Sequence, residues 1–331
     1  MSQKNPSLET PRPAVLWVTV DEDNDGQRLD NFLMAQLRGV PKSIIYRIVR
    51  KGEVRINKGR VKPDTRVKTG DQVRIPPVVR KEKVPQVAPG DRVQAVIEAA
   101  VVFENEQLLV VNKPSGIAVH GGSGLSFGLI EVLRAGRPRA RFLELVHRLD
   151  RDTSGLVMVA KKRSALRYLQ DELRHRHIRK HYHALVSGDW PAGVGKVAQP
   201  LLRYEMPNGE RRVKVDSSGK ESLTLFRCIE RYSGYSLVEA SPVTGRTHQI
   251  RVHAAFAGHP IAGDDKYMDD ASLKAFRALG GSRLMLHARE LELSLPPDSE
   301  GESPALKLEA PYDNAFAAAL KKLAARTGRN S

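Results

Sequence analysis

The chain reads as an α+β protein in two parts: a small basic α/β module, then a larger body built on a mixed, largely antiparallel sheet. Three observations carry that expectation. Positive charge is concentrated near the front, where residues 26–83 hold 16 Lys and Arg against five Asp and Glu, a net of +11 out of +16 for all 331 residues. In the same stretch two short amphipathic helical patterns precede two short alternating ones. From about residue 96 the texture changes to many short apolar runs separated by turns, with a few helical patterns among them.

In the module, RLDNFLMAQL forms a short helix with Leu29, Phe32, Leu33 and Leu37 on one face. Gly39 and Pro41 punctuate, and Pro41 suits the first turn of a second helix. In PKSIIYRIVRKG the apolar set is Ile44, Ile45, Ile48 and Val49, while Lys42, Tyr46 and Arg50 recur every four residues on the opposite side, flanked by Ser43, Arg47 and Lys51. Gly52 ends this helix. EVRIN and GDQVRIP then alternate as strands, with Val54 and Ile56, and Val73 and Ile75, turned inward. Residues 76–92 carry four prolines and four cations without periodicity, the texture of a linker.

In the body, QLLVVNKPSG is a buried strand ending in a Lys-Pro-Ser-Gly turn. SFGLIEVLRA and RSALRYLQDELRHR are helices, the second with Leu166, Leu169 and Leu173 inward and a basic outer face. Further strands are GLVMVAKK, HYHALVSGD, SLTLFRCIERY and YSLVEASPV, and YDNAFAAALKKLAARTG closes the chain as a helix. No internal repeat has a fixed period.

A net charge of +16 points to a polyanionic partner, nucleic acid first and an anionic membrane surface second. The single cysteine, Cys228, excludes an intramolecular disulfide and a multi-thiolate zinc site, which suits a reducing cytosol. No run approaches the roughly 20 apolar residues of a membrane span, and the first dozen residues lack the apolar stretch of a secretory signal. The expected location is the cytoplasm, with no membrane association, and the default state is a monomer. GGSGLSFG does not fit the hydrolase elbow, and GVGKVA is followed by Gln199 and Pro200 rather than a dinucleotide-binding helix. No Walker motif is present, and His248 and His253 are five apart without a carboxylate partner, so neither a cofactor nor a metal is expected.

Three polar clusters remain where loops or element ends should be: HRLDRDTSG (147–155), the RKHYHALV segment around Tyr182, and GRTHQIRVH (245–253) entering a helix after the SPVTG turn. In the first, Asp150 has Arg148 two positions before it and a tight polar turn after it. A carboxylate held near arginine stays ionised and can act as a nucleophile, although a lone aspartate in a turn is more often a cap or an ion-pair partner.

HRLDRDTSG resembles the signature of the RluA-type pseudouridine synthases, and the other two clusters resemble that family's remaining motifs in the same order. RLDNFL, the KSxIYRxxRKGEVRIN stretch and GDQVRIP resemble the S4 RNA-binding domain. The resemblance runs from about Arg28 to Pro311. It implies an S4-like RNA-binding domain at 26–75 and a pseudouridine synthase domain at 96–325, and the polar texture of the segments outside them gives a flexible tail at 1–25 and a linker at 76–95. It implies no cofactor, and large-subunit ribosomal RNA as partner, either free or in an assembly intermediate. Asp150 is then the nucleophile, attacking ribose C1′ or the uracil ring. Arg148 fills the space left by the flipped base, Tyr182 packs against the uracil, Arg251 pairs with Asp150 and orients it, and Ile250 gives apolar contact. Arg246 and His248 reach phosphate or support the loop. Lys42, Ser43, Tyr46, Arg47, Arg50 and Lys51 are the expected RNA contacts of the small module. An RNA-binding protein with a degenerate body, an RNA methyltransferase, and a synthase acting on other large-subunit uridines are the competing readings. The second lacks a convincing glycine-rich cofactor loop.

Alanine substitution of Lys42, Arg47, Arg50 and Lys51 together should weaken RNA binding. It should also flatten the log–log salt dependence by roughly one unit for each RNA phosphate that is no longer neutralised. A slope equal to that of the wild type, measured by filter binding across a salt series, would exclude this face.

Overall fold

Two uninterrupted apolar runs, LLVV and LVMVA, lie side by side in antiparallel register, Leu109 opposite Val159 and Val111 opposite Val157. Their side chains divide by parity. Leu109, Val111, Val157 and Val159 enter one hydrophobic core, and Leu108, Val110, Leu156 and Met158 enter another on the opposite face. A strand buried on both faces has no polar alternation to show, which is why these runs look continuous in sequence.

The computed structural model describes residues 14–37, 39–78, 90–121, 127–298 and 300–327. Residues 1–13 and 79–89 of the expected tail and linker lie outside them, as do residues 122–126 of the GGSGLSFG string. But Leu16–Thr19, inside the expected tail, is a strand of the small sheet, and the helix Asp91–Ala99 begins inside the expected linker. The chain divides into two units, Met1–Gln86 and Val87–Ser331. Among the described residues no helix is long and apolar enough to cross a membrane.

The first unit contains β1 (Leu16–Thr19), α1 (Leu29–Gln36), α2 (Lys42–Arg50), β2 (Arg55–Ile56), β3 (Gly59–Arg60) and β4 (Gln72–Ile75). Its four strands form an antiparallel sheet in the order β1-β4-β2-β3. Leu29, Phe32, Leu33 and Leu37 pack with Ile45, Ile48, Val49, Val54, Val73 and Ile75 in one core, so the inward faces read from periodicity meet each other. Ile44 and Ile56 are only partly buried, and the strand expected over EVRIN is just two residues long.

The second unit contains α3 (Asp91–Ala99), β5 (Val101–Glu104), β6 (Leu108–Lys113), α4 (Leu129–Gly136), β7 (Glu144–Leu145) and β8 (Ser154–Ala160). There follow α5 (Arg163–His175), β9 (Arg179–Ser187), β10 (Lys196–Val197), β11 (Leu201–Glu205), β12 (Arg211–Val215), β13 (Thr224–Tyr232) and β14 (Tyr235–Pro242). The unit closes with α6 (Gln249–Phe256), α7 (Asp270–Ala278), β15 (Leu286–Ser294), β16 (Ala305–Glu309) and α8 (Asn314–Thr327). The main sheet runs β10-β13-β14-β9-β15-β8-β6-β5, with β16 added to β15 and β7 to β8, while β11 and β12 form a separate hairpin. Every pairing in the main sheet is antiparallel except β15 with β8. The expected α+β class with a largely antiparallel sheet is what the chain adopts.

Helix α5 covers the core containing Leu108 and Met158, using Ala165 and Leu169, with Leu166 and Leu173 only partly buried. Helices α4, α6, α7 and α8 contribute to the other core through Leu133, Ala254, Phe276 and Phe316. Strand β15 was not among the expected strands. Its LHARELELS string mixes Arg289, Glu290 and Glu292 with apolar residues, yet it pairs with β9 along most of its length.

The parallel join between β8 and β15 depends on Gly155. Its φ is +107°, and a Cβ there would lie 2.3 Å from the carbonyl oxygen of Ala288. Gly155 is the second residue of β8, just after the HRLDRDT loop, so this close backbone approach fixes where the loop ends. Gly155→Ala should cost about 2–4 kcal/mol of unfolding free energy, from strained φ and backbone collision together. Urea denaturation measures this, and a loss below about 0.5 kcal/mol would show that the strands can separate without penalty.

Candidate active site

The loop His147–Thr153 is held from both sides by backbone-directed bonds. Lys113, at the end of β6, is fully buried and its Nζ donates to the carbonyls of Pro114 (2.9 Å), Ile117 (2.7 Å) and Arg151 (3.0 Å). The Gly116 N–H also donates to Arg151 O (3.0 Å), and the Ser115 hydroxyl donates to Asp152 O (2.7 Å). On the other side the N–H of Met158 donates to His147 Nε2 at 3.2 Å. The NKPSG turn is therefore the clamp of the HRLDRDTSG loop. Burial pushes Lys113 down to about 7, opposed by the charges of Asp152 and Asp150. Three carbonyl acceptors need three N–H hydrogens, which only the ammonium supplies, so the group stays charged. Burial, with the nearby Lys180 charge, pushes His147 down to about 3, and its ring remains a neutral acceptor.

The turn into α6 is built by Gln249. Its Oε1 accepts from the Thr244 hydroxyl (2.7 Å) and the Arg246 N–H (3.0 Å), and its Nε2 donates to Leu223 O (2.9 Å) and Thr224 Oγ1 (3.0 Å). A buried amide satisfied at both ends fixes the start of the helix against β13. Arg251, in the first turn of that helix, is 3 % exposed. Its Nε and Nη2 bond both oxygens of Asp264 at 2.7 and 2.6 Å, and its Nη1 lies 3.7 Å from Asp150 Oδ2. Arg251 pairs with Asp150 as expected, but only as an ion pair without a hydrogen bond, and its bidentate grip goes to Asp264. The reason is burial: Asp264 is fully enclosed, and a carboxylate there requires a charged partner. Burial works against the Arg251 charge, but the hydrogen bonds and charge of Asp264 outweigh it, and Asp150 adds to them.

Arg148, Asp150, Tyr182, Ile250 and Arg251 all line one small cavity of about 120 Å³, together with Arg246 and His248. Arg148 is exposed, whereas Tyr182 on β9 is buried. Burial, and then the Asp150 charge, pushes the Tyr182 hydroxyl well above its ordinary value, so the phenol keeps its proton. His248 does not point to the surface as a phosphate contact. Its Nε2 is 3.8 Å from Asp150 Oδ2, and its Nδ1 is 2.7 Å from the hydroxyl of Tyr267. A larger cavity of about 700 Å³ adjoins the first and shares Lys180, Pro242, Thr244, Gly245 and Arg246 with it. Arg174, Arg176 and Arg179 also line it, with no Asp or Glu among the lining residues.

On the small unit, Lys42, Ser43, Arg47, Arg50 and Lys51 are exposed along α2 and just beyond it. Tyr46 is half-buried and donates its hydroxyl to Asp30 (3.0 Å), which also holds Arg28 (2.8 Å). Among the described residues one group, His181 with Glu290 and Glu292, has the spacing to hold a cation. The ammonium of Lys307 already lies 2.9 Å from both carboxylates.

Sequence reasoning missed Lys113 as the clamp, Lys180 between the two cavities, and Asp264 and Tyr267 in GDDKY. A pair of adjacent acids after the apolar HPIAG stretch was the available signal for Asp264.

Comparison with solved structures defines the class. The chain resembles human RNA pseudouridylate synthase domain containing 4 with a TM-score of 0.58 and 27% identity, covering 70% of this chain and 96% of that one. It resembles human RNA pseudouridylate synthase domain containing 1 with a TM-score of 0.53 and 26% identity, covering 66% of this chain and 86% of that one. The model of the RNA pseudouridylate synthase family matches residues 107–256, and that of the S4 domain matches residues 27–73. The chain belongs to the RNA pseudouridylate synthase family. Its curated relatives include ribosomal large subunit pseudouridine synthase C of Haemophilus influenzae, 53% identical over 94% of this chain and 95% of that protein. The protein of the same description from Yersinia pestis is 55% identical over 93% of this chain and 95% of its own length.

Asp264→Asn keeps the shape of the pair and removes its charge, leaving Arg251 buried without a full counter-ion. The expected loss is about 3–5 kcal/mol of stability by denaturant melting. A loss under about 1 kcal/mol would mean that Asp150 and water can carry the Arg251 charge alone.

Proposed function

We propose that this protein isomerises uridine to pseudouridine in large-subunit ribosomal RNA, with Asp150 as the nucleophile. The observation that carries the reading is the convergence of Arg148, Asp150, Tyr182, Ile250 and Arg251 on one small cavity of an RNA pseudouridylate synthase. The relatives that align over nearly the whole chain support the choice of RNA, since their descriptions name the ribosomal large subunit.

The reaction breaks the N1–C1′ bond, turns the uracil, and rejoins it through C5. C5 gives up one proton and N1 takes one, so no group donor or redox partner is required. The target base leaves its stack at a cost of a few kcal/mol. Arg148, exposed at the cavity, takes the vacated space. Asp150 attacks as the carboxylate, at ribose C1′ or at the uracil ring. The Arg251 guanidinium, 3.7 Å away, is the counter-charge beside it. Tyr182 packs against the ring as a neutral phenol, because burial disfavours its ionisation. Ile250 supplies an apolar wall. The exposed cations of α2 hold RNA phosphates, and the acid-free cavity beside the site accepts the strand that leads to the flipped uridine. The protein works in the cytoplasm as a monomer, on free RNA or an assembly intermediate.

Pseudouridine mapping of large-subunit RNA, incubated with wild type and with Asp150→Ala, tests this. Conversion by the wild type alone is expected. Equal conversion by both removes Asp150 from the role, and no conversion by either, on free and partly assembled RNA, leaves an RNA-binding protein.

A further inference from the structure

His248 is placed with more care than a phosphate contact or a loop support requires. Its backbone has φ +53°, a left-handed conformation that residues other than glycine adopt rarely and that clusters at functional sites. Its ring meets the Tyr267 ring edge-on, with centroids 5.6 Å apart and planes at 78°. The hydrogen-bond directions around Tyr267 then decide which ring nitrogen carries the proton. The Tyr267 oxygen accepts the N–H of Val213, on β12, at 3.0 Å. A phenol has one hydrogen to donate, the Val213 N–H cannot accept it, and among the described residues the acceptor within reach is His248 Nδ1, at 2.7 Å. Nδ1 is therefore an acceptor. In the neutral ring the hydrogen sits on Nε2, the nitrogen facing Asp150.

The charged and titratable groups around His248 are Asp150, Arg251, Asp264, Lys266 and Tyr267. Burial lowers its pKa against the opposing charge of Asp150, in keeping with a neutral ring. His248 Nε2 and Arg251 Nη1 both approach the same carboxylate oxygen, Oδ2, at 3.8 and 3.7 Å. Among the described residues no hydrogen bond reaches Oδ1.

We propose that His248 is a positioning residue for Asp150: its Nε2–H, aimed by Tyr267, draws Oδ2 toward His248 and Arg251 and leaves Oδ1 as the attacking oxygen. The inference rests on the reading of Asp150 as nucleophile. The 3.8 Å gap closes to a hydrogen bond with a small rotation of the carboxylate when substrate enters. Two donors on one oxygen take up its lone pairs, so the other oxygen faces the reacting carbon. When the bond to Asp150 breaks, the same donors receive the charge returning to Oδ2. Through the Val213–Tyr267 bond the β11–β12 hairpin is tied to this arrangement, so the hairpin, Tyr267 and the nucleophile are mechanically linked.

The test compares His248→Ala, His248→Gln and Tyr267→Phe in the full chain, by single-turnover conversion of a large-subunit RNA transcript. The alanine variant should lose roughly 10- to 100-fold in rate at saturating RNA, with RNA affinity within about twofold of wild type. Glutamine, whose amide nitrogen reaches the Nε2 position, should restore most of the rate, since a donor suffices and no proton needs to move. Tyr267→Phe should lose less than alanine. An unchanged rate for His248→Ala, or glutamine as poor as alanine, overturns the proposal. Nitrogen-15 NMR of the histidine-labelled protein gives a readout that needs neither RNA nor a folded alanine variant. The Nε2–H tautomer is expected, and the Nδ1–H tautomer overturns the assignment. A wild type that converts no uridine would refute the uridine chemistry while leaving the tautomer standing, so the two failures are distinguishable.

Discussion

The buried pair of Arg251 and Asp264 is the constraint around which the second unit's site is arranged. An arginine 3 % exposed and a carboxylate fully enclosed cannot exist apart, because each alone would carry an uncompensated charge in a poorly polarisable interior. Their fork-to-fork geometry fixes two things at once. It ties the first turn of α6 to the segment after Ile261, and it leaves one guanidinium nitrogen, Nη1, turned toward Asp150. Tyr267 closes the arrangement, its ring under the guanidinium at 5.2 Å and its hydroxyl on His248. Such pairs add little net stability compared with apolar packing, so the gain here is orientation.

A second constraint delivers the aspartate to that place. Lys113 holds the loop by carbonyls, as does Ser115, so neither grip uses the side chains of Arg148 and Asp150. Gly155 lets β15 pass close enough to β8 for the parallel join to form at the loop's end. The loop is therefore anchored at its backbone while Arg148 and Asp150 face the cavity. Rigid placement of a reacting group within a fraction of an ångström is what catalysis by orientation requires.

The protonation pattern follows from the same packing. Tyr182, His147 and His248 are all driven toward their neutral forms, first by burial. Arg251 is kept charged despite burial by Asp264, and Lys113 by its carbonyl acceptors. The site thus offers one anion beside fixed positive charge, among neutral donors and an apolar wall.

Much of this was legible in the residues themselves. Periodicity identified the inward faces of α1 and α2, because side chains three and four apart on a helix must share an environment. The apolar runs at β6 and β8 announced buried strands, and the three polar clusters stood out because each interrupts that apolar texture at an element end. The partners of those clusters were not legible. Asp264 lies 13 residues from Arg251, and Arg151 lies 38 from Lys113, separations across which periodicity carries no information. Nor does the string LHARELELS say that it pairs with both β9 and β8. Local pattern reports which face of an element avoids water, and that much the sequence determined alone. Which buried charge meets which counter-charge, and which hydroxyl meets the ring of His248, was decided only when distant elements packed and each enclosed polar group had to find a partner.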